Sequence, residues 1–240
     1  MTEPAPNVDA AEIGKFDALA GRWWDTNGEF APLHRLNPLR LEYLKRETRL
    51  AGARVVDVGC GGGILTESLA REGARALGID LAPASLKVAE LHALEASIAL
   101  EYRCVSAEAL AAERPGAFDV VTCMELLEHV PDAASTLGAL AGLVRPGGDV
   151  FVSTINRNLK SFAVAILGAE YLTRTVPRGT HDYARFIRPA ELGRAARAAG
   201  LVVADIAGVV IDPFTRAFSL GADVDVNYLM HLKRPAAGAP

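Results

Sequence analysis

Arg54-Val55-Val56-Asp57-Val58-Gly59-Cys60-Gly61-Gly62-Gly63 is the stretch from which the fold of this chain can be read. Val55, Val56 and Val58 form a short β-branched apolar run, the pattern of a strand buried on both faces of a parallel sheet. Glycines follow at 59, 61, 62 and 63, and residues 64–70, Ile-Leu-Thr-Glu-Ser-Leu-Ala, then take helical spacing. A strand, a glycine turn and a helix N-terminus present free backbone N–H groups to any ligand that comes close. A second apolar run, Ala76-Leu77-Gly78-Ile79, ends on Asp80, about twenty residues on, where an acid reaches a ribose hydroxyl. The local chemistry is that of a nucleoside site.

A dinucleotide fingerprint requires a third glycine, or alanine, five residues after the first. Counted from Gly59 that position is Ile64, so a nicotinamide oxidoreductase is disfavoured. The glycines alternate instead, as Asp57-x-Gly59-x-Gly61-x-Gly63. This resembles motif I of the class I S-adenosylmethionine-dependent methyltransferases. The resemblance implies a Rossmann-like α/β fold, a mostly parallel seven-stranded sheet with helices on both faces. It also implies a glycine loop around the amino-acid end of the cofactor, and a second-strand acid on its ribose.

At 240 residues, half of them hydrophobic, the chain suits a single domain with a full core. We expect that domain over 11–233, with a disordered leader at 1–10 and a flexible Pro/Ala/Gly tail at 234–240. A formal net charge of −4 gives no electrostatic case for nucleic acid as a partner. Cys60, Cys104 and Cys123 are too scattered for a disulfide framework or a metal-ligand pattern, which suggests a reducing cytoplasm. No signal peptide and no bilayer-spanning run is evident.

Residues 11–50 read as a helical cap. In 11–25 a stripe of Ile13, Phe16, Leu19, Ala20, Trp23 and Trp24 predicts one helix, its tryptophans open to core packing or to a substrate role. Pro32 and Pro38 predict an irregular loop, with the next helix starting at Pro38 and running over 39–50. That puts Arg40 in a first turn, where a cation opposes the helix dipole and needs an anionic partner.

The fourth predicted strand, Phe118-Asp119-Val120-Val121-Thr122-Cys123-Met124, ends where an open α/β sheet places its ligand crevice. There the chain reads Met124-Glu125-Leu126-Leu127-Glu128-His129-Val130-Pro131-Asp132. Two carboxylates beside an imidazole suit general acid–base work, since an adjacent carboxylate raises histidine basicity. Met124 offers a polarisable apolar contact. Arg145-Pro146-Gly147-Gly148 predicts a tight turn into a fifth strand. After it, 155–189 is too long for an ordinary connection and reads as an insertion. It holds an apolar run at 162–172 edged by Arg157, Lys160, Arg174, Arg178, Arg185 and Arg188. Such a run cannot span a bilayer, but it can lie on one or cover an apolar pocket.

The stretches 30–40 (Phe-Ala-Pro-Leu-His-Arg-Leu-Asn-Pro-Leu-Arg), 57–65, 120–132, 145–151, 179–183 (Gly-Thr-His-Asp-Tyr) and 223–228 (Asp-Val-Asp-Val-Asn-Tyr) together resemble the O-methyltransferases of ubiquinone biosynthesis. The resemblance covers nearly the whole chain. It implies methyl transfer from S-adenosylmethionine to ring hydroxyls of 2-polyprenyl-6-hydroxyphenol and 3-demethylubiquinol. Cofactor contacts carry over to Arg40, Gly59, Asp80 and Met124, and to Asp57 and Gly61 of motif I, with Arg40 a partner for the methionine carboxylate. Ser106 stands where many members of the class carry an acid for the adenine, so backbone contact is expected there. His129, supported by Glu125 or Glu128, is expected to act as the base. Whether a divalent cation joins those three is left open by the ligand types. The resemblance further implies a cytoplasmic protein peripheral to the inner membrane through 157–188, in contact with its polyprenyl phenol or quinol substrate and with a ubiquinone-biosynthesis complex. A methyltransferase of another small catechol, and a silent cofactor-binding subunit, stand as alternatives.

Overall fold

A computed structural model describes residues 7–161, 183–212, 217–236 and 238. The expected strand, glycine turn and helix are β1 (Arg54–Val58), the loop 59–63 and α3 (Ile64–Arg71). β2 (Arg75–Asp80), β3 (Glu101–Cys104), β4 (Phe118–Met124) and β5 (Val144–Ile155) pair in parallel around β1. Three late strands, β6 (Val202–Ile211), β7 (Phe218–Gly221) and β8 (Asn227–Lys233), complete the order β3-β2-β1-β4-β5-β8-β6-β7. β8 runs antiparallel to both neighbours and β7 antiparallel to β6. Among the described residues the sheet is therefore eight-stranded rather than seven-stranded, the addition being the short edge strand β7. The Arg-Pro-Gly-Gly turn loops out of β5 between the pairs Phe118↔Val144 and Val120↔Asp149, with Gly147 at φ 75°.

Successive strand residues face opposite sides of the sheet. Val56 and Val58 pack with residues of α5 (Ala107–Glu113), α6 (Ala133–Leu143) and α8 (Pro189–Ala198). Val55 packs with α2 (Ala31–Glu47) and α3 on the other face. α4 (Pro83–Glu95) follows β2, and the single turn α7 (Leu159–Ser161) follows β5.

The N-terminal region differs from expectation in two places. α1 covers only Ala10–Ala18, capped by the Asp9 carboxylate, and a 3-10 turn, Ala20–Arg22, carries the chain to the tryptophans. α2 starts at Ala31, with Pro32 in its first turn and Pro38 inside it. A first-turn proline lacks only an N–H that has no helical partner anyway. An internal one costs about 3 kcal/mol, offset here by the buried Leu36, Leu39, Tyr43 and Leu44. The end of the expected leader also has defined partners: Asn7 Nδ2 donates to Glu108 and Thr136, and Asp9 accepts from Arg185.

Candidate active site

The glycine spacing has a conformational cause. Gly59, Gly61 and Gly63 all sit at positive φ (72°, 53° and 84°), the left-handed region that side chains avoid. A Cβ on Gly61 would also lie 2.4 Å from the Trp23 ring, and one on Gly59 would lie 2.9 Å from Leu126. The turn brings the Gly61 N–H to Asp80, which accepts it at 2.8 Å on one oxygen and the Ala82 N–H at 2.8 Å on the other. Burial pushes the Asp80 carboxyl up, against these backbone bonds. Each of its oxygens keeps a lone pair for a further donor. Asp57 points inward from β1, where Thr66 and Thr122 each donate to it at 2.7 Å. It braces the loop from beneath, and burial raises its pKa.

Trp23 and Trp24 close this turn from above. The Trp23 indole stacks on Phe30 at 3.8 Å and donates to Ser85, while Trp24 donates to the Gly62 carbonyl and stacks on His92 at 3.4 Å. The sequence placed both on a helical stripe; they are a lid on the glycine turn instead. Ser106 caps α5 by accepting from the Ala109 N–H.

Beyond Met124, the chain turns on Glu125, a non-glycine residue at φ 52°. Such a conformation is uncommon away from functional sites. Arg40, on the third turn of α2 rather than the first, has its anionic partner here, Nη2 to Glu125 Oε1 at 3.0 Å. Ser153 and Asn227 also donate to Glu125. Burial pushes the Glu125 carboxyl up, but Arg40 foremost, with Ser153 and Asn227, holds it below its ordinary value. Glu128 is buried and accepts from Thr154 at 2.7 Å. Burial first, then the Glu125 charge, pushes its carboxyl well above the ordinary carboxylate value.

The expected support of His129 by Glu125 or Glu128 is therefore corrected. One partner of His129 is Glu12 of α1, with Nδ1 and Oε2 2.9 Å apart, and Phe16 sets its ring edge-on to the imidazole at 5.3 Å. The reason is the left-handed turn at Glu125, which departs from helical spacing and sends the two glutamates to α2, β5 and β8. Glu12 was not legible in the sequence: nothing in an amphipathic helix 117 residues away marks it. Among the described residues, no group of three His, Cys, Asp or Glu side chains is arranged to hold a metal ion.

One cavity of about 620 Å³ unites these parts. Its walls hold Asp57, Gly59, Gly61 and Asp80 at the glycine turn, Arg40, Met124, Glu125, Glu128 and His129 at the end of β4, and apolar residues such as Leu33, Leu36 and Phe218. Arg40 Nε is buried without a hydrogen-bond partner, a donor aimed at nothing of the protein's own. A cradle that only glycine can form, an acid with spare lone pairs and this orphan N–H fit a nucleoside carrying an amino-acid carboxylate.

The cations expected to edge the insertion are largely committed within the protein. Arg157 pairs with Glu191, Lys160 with Asp223 and Asp225, and Arg185 with Asp9, while the Arg188 guanidinium donates to the Arg157 carbonyl. The apolar run at 162–172, Arg174 and Arg178 lie outside the described residues. No described helix is long and apolar enough to cross a membrane.

A family model described as a methyltransferase domain matches residues 29–206. Two solved structures of magnesium protoporphyrin IX methyltransferase from Synechocystis share the fold. The one with bound SAH has a TM-score of 0.64 at 17% identity, covering 93% of this chain and 99% of that one. The one with bound SAM has a TM-score of 0.63 at 17% identity, covering 97% and 100%. Among curated proteins, the ubiquinone biosynthesis O-methyltransferase of Ralstonia nicotianae is 57% identical over 99% of this chain and 100% of its own length. That of Nitrosospira multiformis is 60% identical over 93% and 94%. With the fold, the cradle and near-full-length identity in agreement, this chain belongs to the ubiquinone biosynthesis O-methyltransferase family of class I methyltransferases.

Proposed function

We propose that the protein moves a methyl group from S-adenosylmethionine to ring hydroxyls of 2-polyprenyl-6-hydroxyphenol and 3-demethylubiquinol. What carries this reading is the single cavity in which the glycine cradle with Asp80 and the His129 imidazole form parts of one wall. When bound, the cofactor supplies an electrophilic methyl on a sulfonium. The chain's own groups do the rest. Asp80 accepts from ribose hydroxyls, and Arg40 Nε donates to the amino-acid carboxylate. Met124 offers its thioether to the base. His129 takes the proton of the ring hydroxyl, leaving that oxygen with an electron pair for the methyl carbon; the methyl–sulfur bond would break with its pair staying on sulfur, so that the cofactor leaves as the neutral thioether. Ile13, Phe16 and Leu33 exclude water and hold the ring, so that alignment supplies much of the rate.

Peripheral association with the inner membrane through 157–188, and with other enzymes acting on the same prenylated intermediates, belongs to this proposal. Its support is the apolar run at 162–172, too short to span a bilayer, and the prenyl tail of the substrates. With Lys160, Arg157 and Arg185 committed to ion pairs, Arg174 and Arg178 are the cations to test. Changing both to Glu is expected to abolish liposome binding.

The direct test is methyl transfer from labelled S-adenosylmethionine to a short-tailed 3-demethylubiquinol and to a polyprenyl catechol, with and without chelator. Product from both is expected, and a loss with chelator assigns a cation to the site. No product from either, with cofactor still bound, overturns the reading.

A further inference from the structure

We propose that Glu12 is the positioning residue for His129, so that the cap helix α1 supplies the carboxylate that sets the tautomer of the base. This rests on His129 being the base, as proposed above. The geometry is specific. Glu12 Oε2 lies 2.9 Å from His129 Nδ1, and Lys15 Nζ donates to the other oxygen, Oε1, at 2.7 Å, which fixes the plane of the carboxylate. Both Glu12 and His129 line the cavity, and both side chains are about six-sevenths buried, at 15% and 13% exposure. Phe16, one turn after Glu12, holds the ring at 85° to its own. α1 is itself pinned along its length: Asp9 caps it and binds Arg185, and Asp17 accepts from the Ala84 N–H.

An ionised carboxylate only accepts hydrogen bonds, so Nδ1 carries the proton in this pair. The neutral ring then has its lone pair on Nε2, and Nε2 is the atom that takes the substrate proton. Glu125 and Glu128 do not set the tautomer, since neither is hydrogen-bonded to His129; Glu125 accepts from Arg40, Ser153 and Asn227, and Glu128 from Thr154. An imidazole deprived of its carboxylate adopts the other tautomer, with Nε2 protonated and unable to accept.

Glu12→Gln tests this with little change of shape. Lys15 claims the amide oxygen of the new side chain, which turns its NH₂ toward His129 and favours a lone pair on Nδ1. In the ¹⁵N-labelled full chain, two-bond ¹H–¹⁵N correlations of His129, identified by their absence in His129→Ala, are expected to show protonated Nδ1 in the wild type and protonated Nε2 in Glu12→Gln. The kcat of Glu12→Gln is expected to fall about 10²-fold, with S-adenosylmethionine affinity unchanged by titration. Glu12→Ala is expected to lose kcat similarly, which keeps the test standing if one variant folds poorly. Wild-type kcat in Glu12→Gln beside an inactive His129→Ala overturns the positioning role and leaves the base in place. A lowered kcat with an unchanged tautomer also overturns it. Full activity in His129→Ala removes the base reading and the proposal together.

Discussion

Two histidine–carboxylate pairs sit at opposite ends of the strands of the same sheet, and they differ in everything but their chemistry. At the carboxyl ends of the strands, His129 meets Glu12 across 117 residues of sequence, in the wall of a cavity. Near the amino ends, His231 of β8 meets Asp149 of β5 at 2.8 Å, on adjacent strands, at 1% exposure. Phe151 stacks over the His231 ring at 4.5 Å, and Thr48 also donates to Asp149. A ring sealed under an aromatic side chain has no substrate to reach; it ties β5 to β8. A ring whose partner arrives on a separate helix can work only when that helix is docked.

The largest effect separates the two pairs directly. His129→Ala is expected to lower kcat by about 10²–10⁴-fold with little change in melting temperature. His231→Asn is expected to do the reverse. It leaves Asp149 poorly paired in a buried site, at about 1.5–3 kcal/mol, with kcat per folded molecule unchanged. Urea unfolding and steady-state rates on the two variants read out the crossing, and a stable but inactive His231→Asn would erase the contrast. A smaller effect belongs to the cofactor side of the cavity. Asp80→Asn must turn its NH₂ toward either the Gly61 or the Ala82 N–H, both of which now donate to the acid. Affinity for S-adenosylmethionine is expected to weaken about tenfold, or about 1.4 kcal/mol, by titration calorimetry. Unchanged affinity would take Asp80 out of the cofactor site.

The same contrast explains what the sequence disclosed. The alternate glycines are legible because a backbone at positive φ admits few other residues, so local conformation is written directly in residue type. Asp80 is legible because it ends a strand beside that turn. Arg40 needs an anion, but not because of a helix dipole: α2 runs through Pro38, so the residue is mid-helix, and its need comes from burial at 5% exposure. Burial of Leu36, Leu39, Tyr43 and Leu44 overrode the local proline rule. Glu12 and the tryptophan lid stayed hidden, because a tertiary contact across a hundred residues leaves no periodicity. β7 stayed hidden too, since its four residues are too few to alternate visibly.

The two ends of the strands also titrate with opposite signs, and this gives the smallest effect. Asp119, at the amino end, accepts from the Arg54 side chain and from Arg145, and Arg54 foremost holds its pKa far below the usual value. A depressed carboxyl stabilises the fold above its unfolded pKa, about 3.9, and that contribution is lost as pH falls below it. The pairs are partly exposed, so its size is under about 1 kcal/mol. Glu128, at the carboxyl end, is raised by burial and by Glu125. Its contribution is complete below the unfolded value, about 4.3, and is lost as pH climbs toward the folded one. Glu128→Gln keeps an acceptor for Thr154 without the titration. Melting curves from pH 3 to pH 9 should therefore show Asp119→Asn lowering the plateau above about pH 4 and so flattening the acid limb, and Glu128→Gln raising the neutral and alkaline limb. A Glu128→Gln curve parallel to the wild type above pH 5 would mean that Glu128 is ionised in the fold and able to act as a second base beside His129.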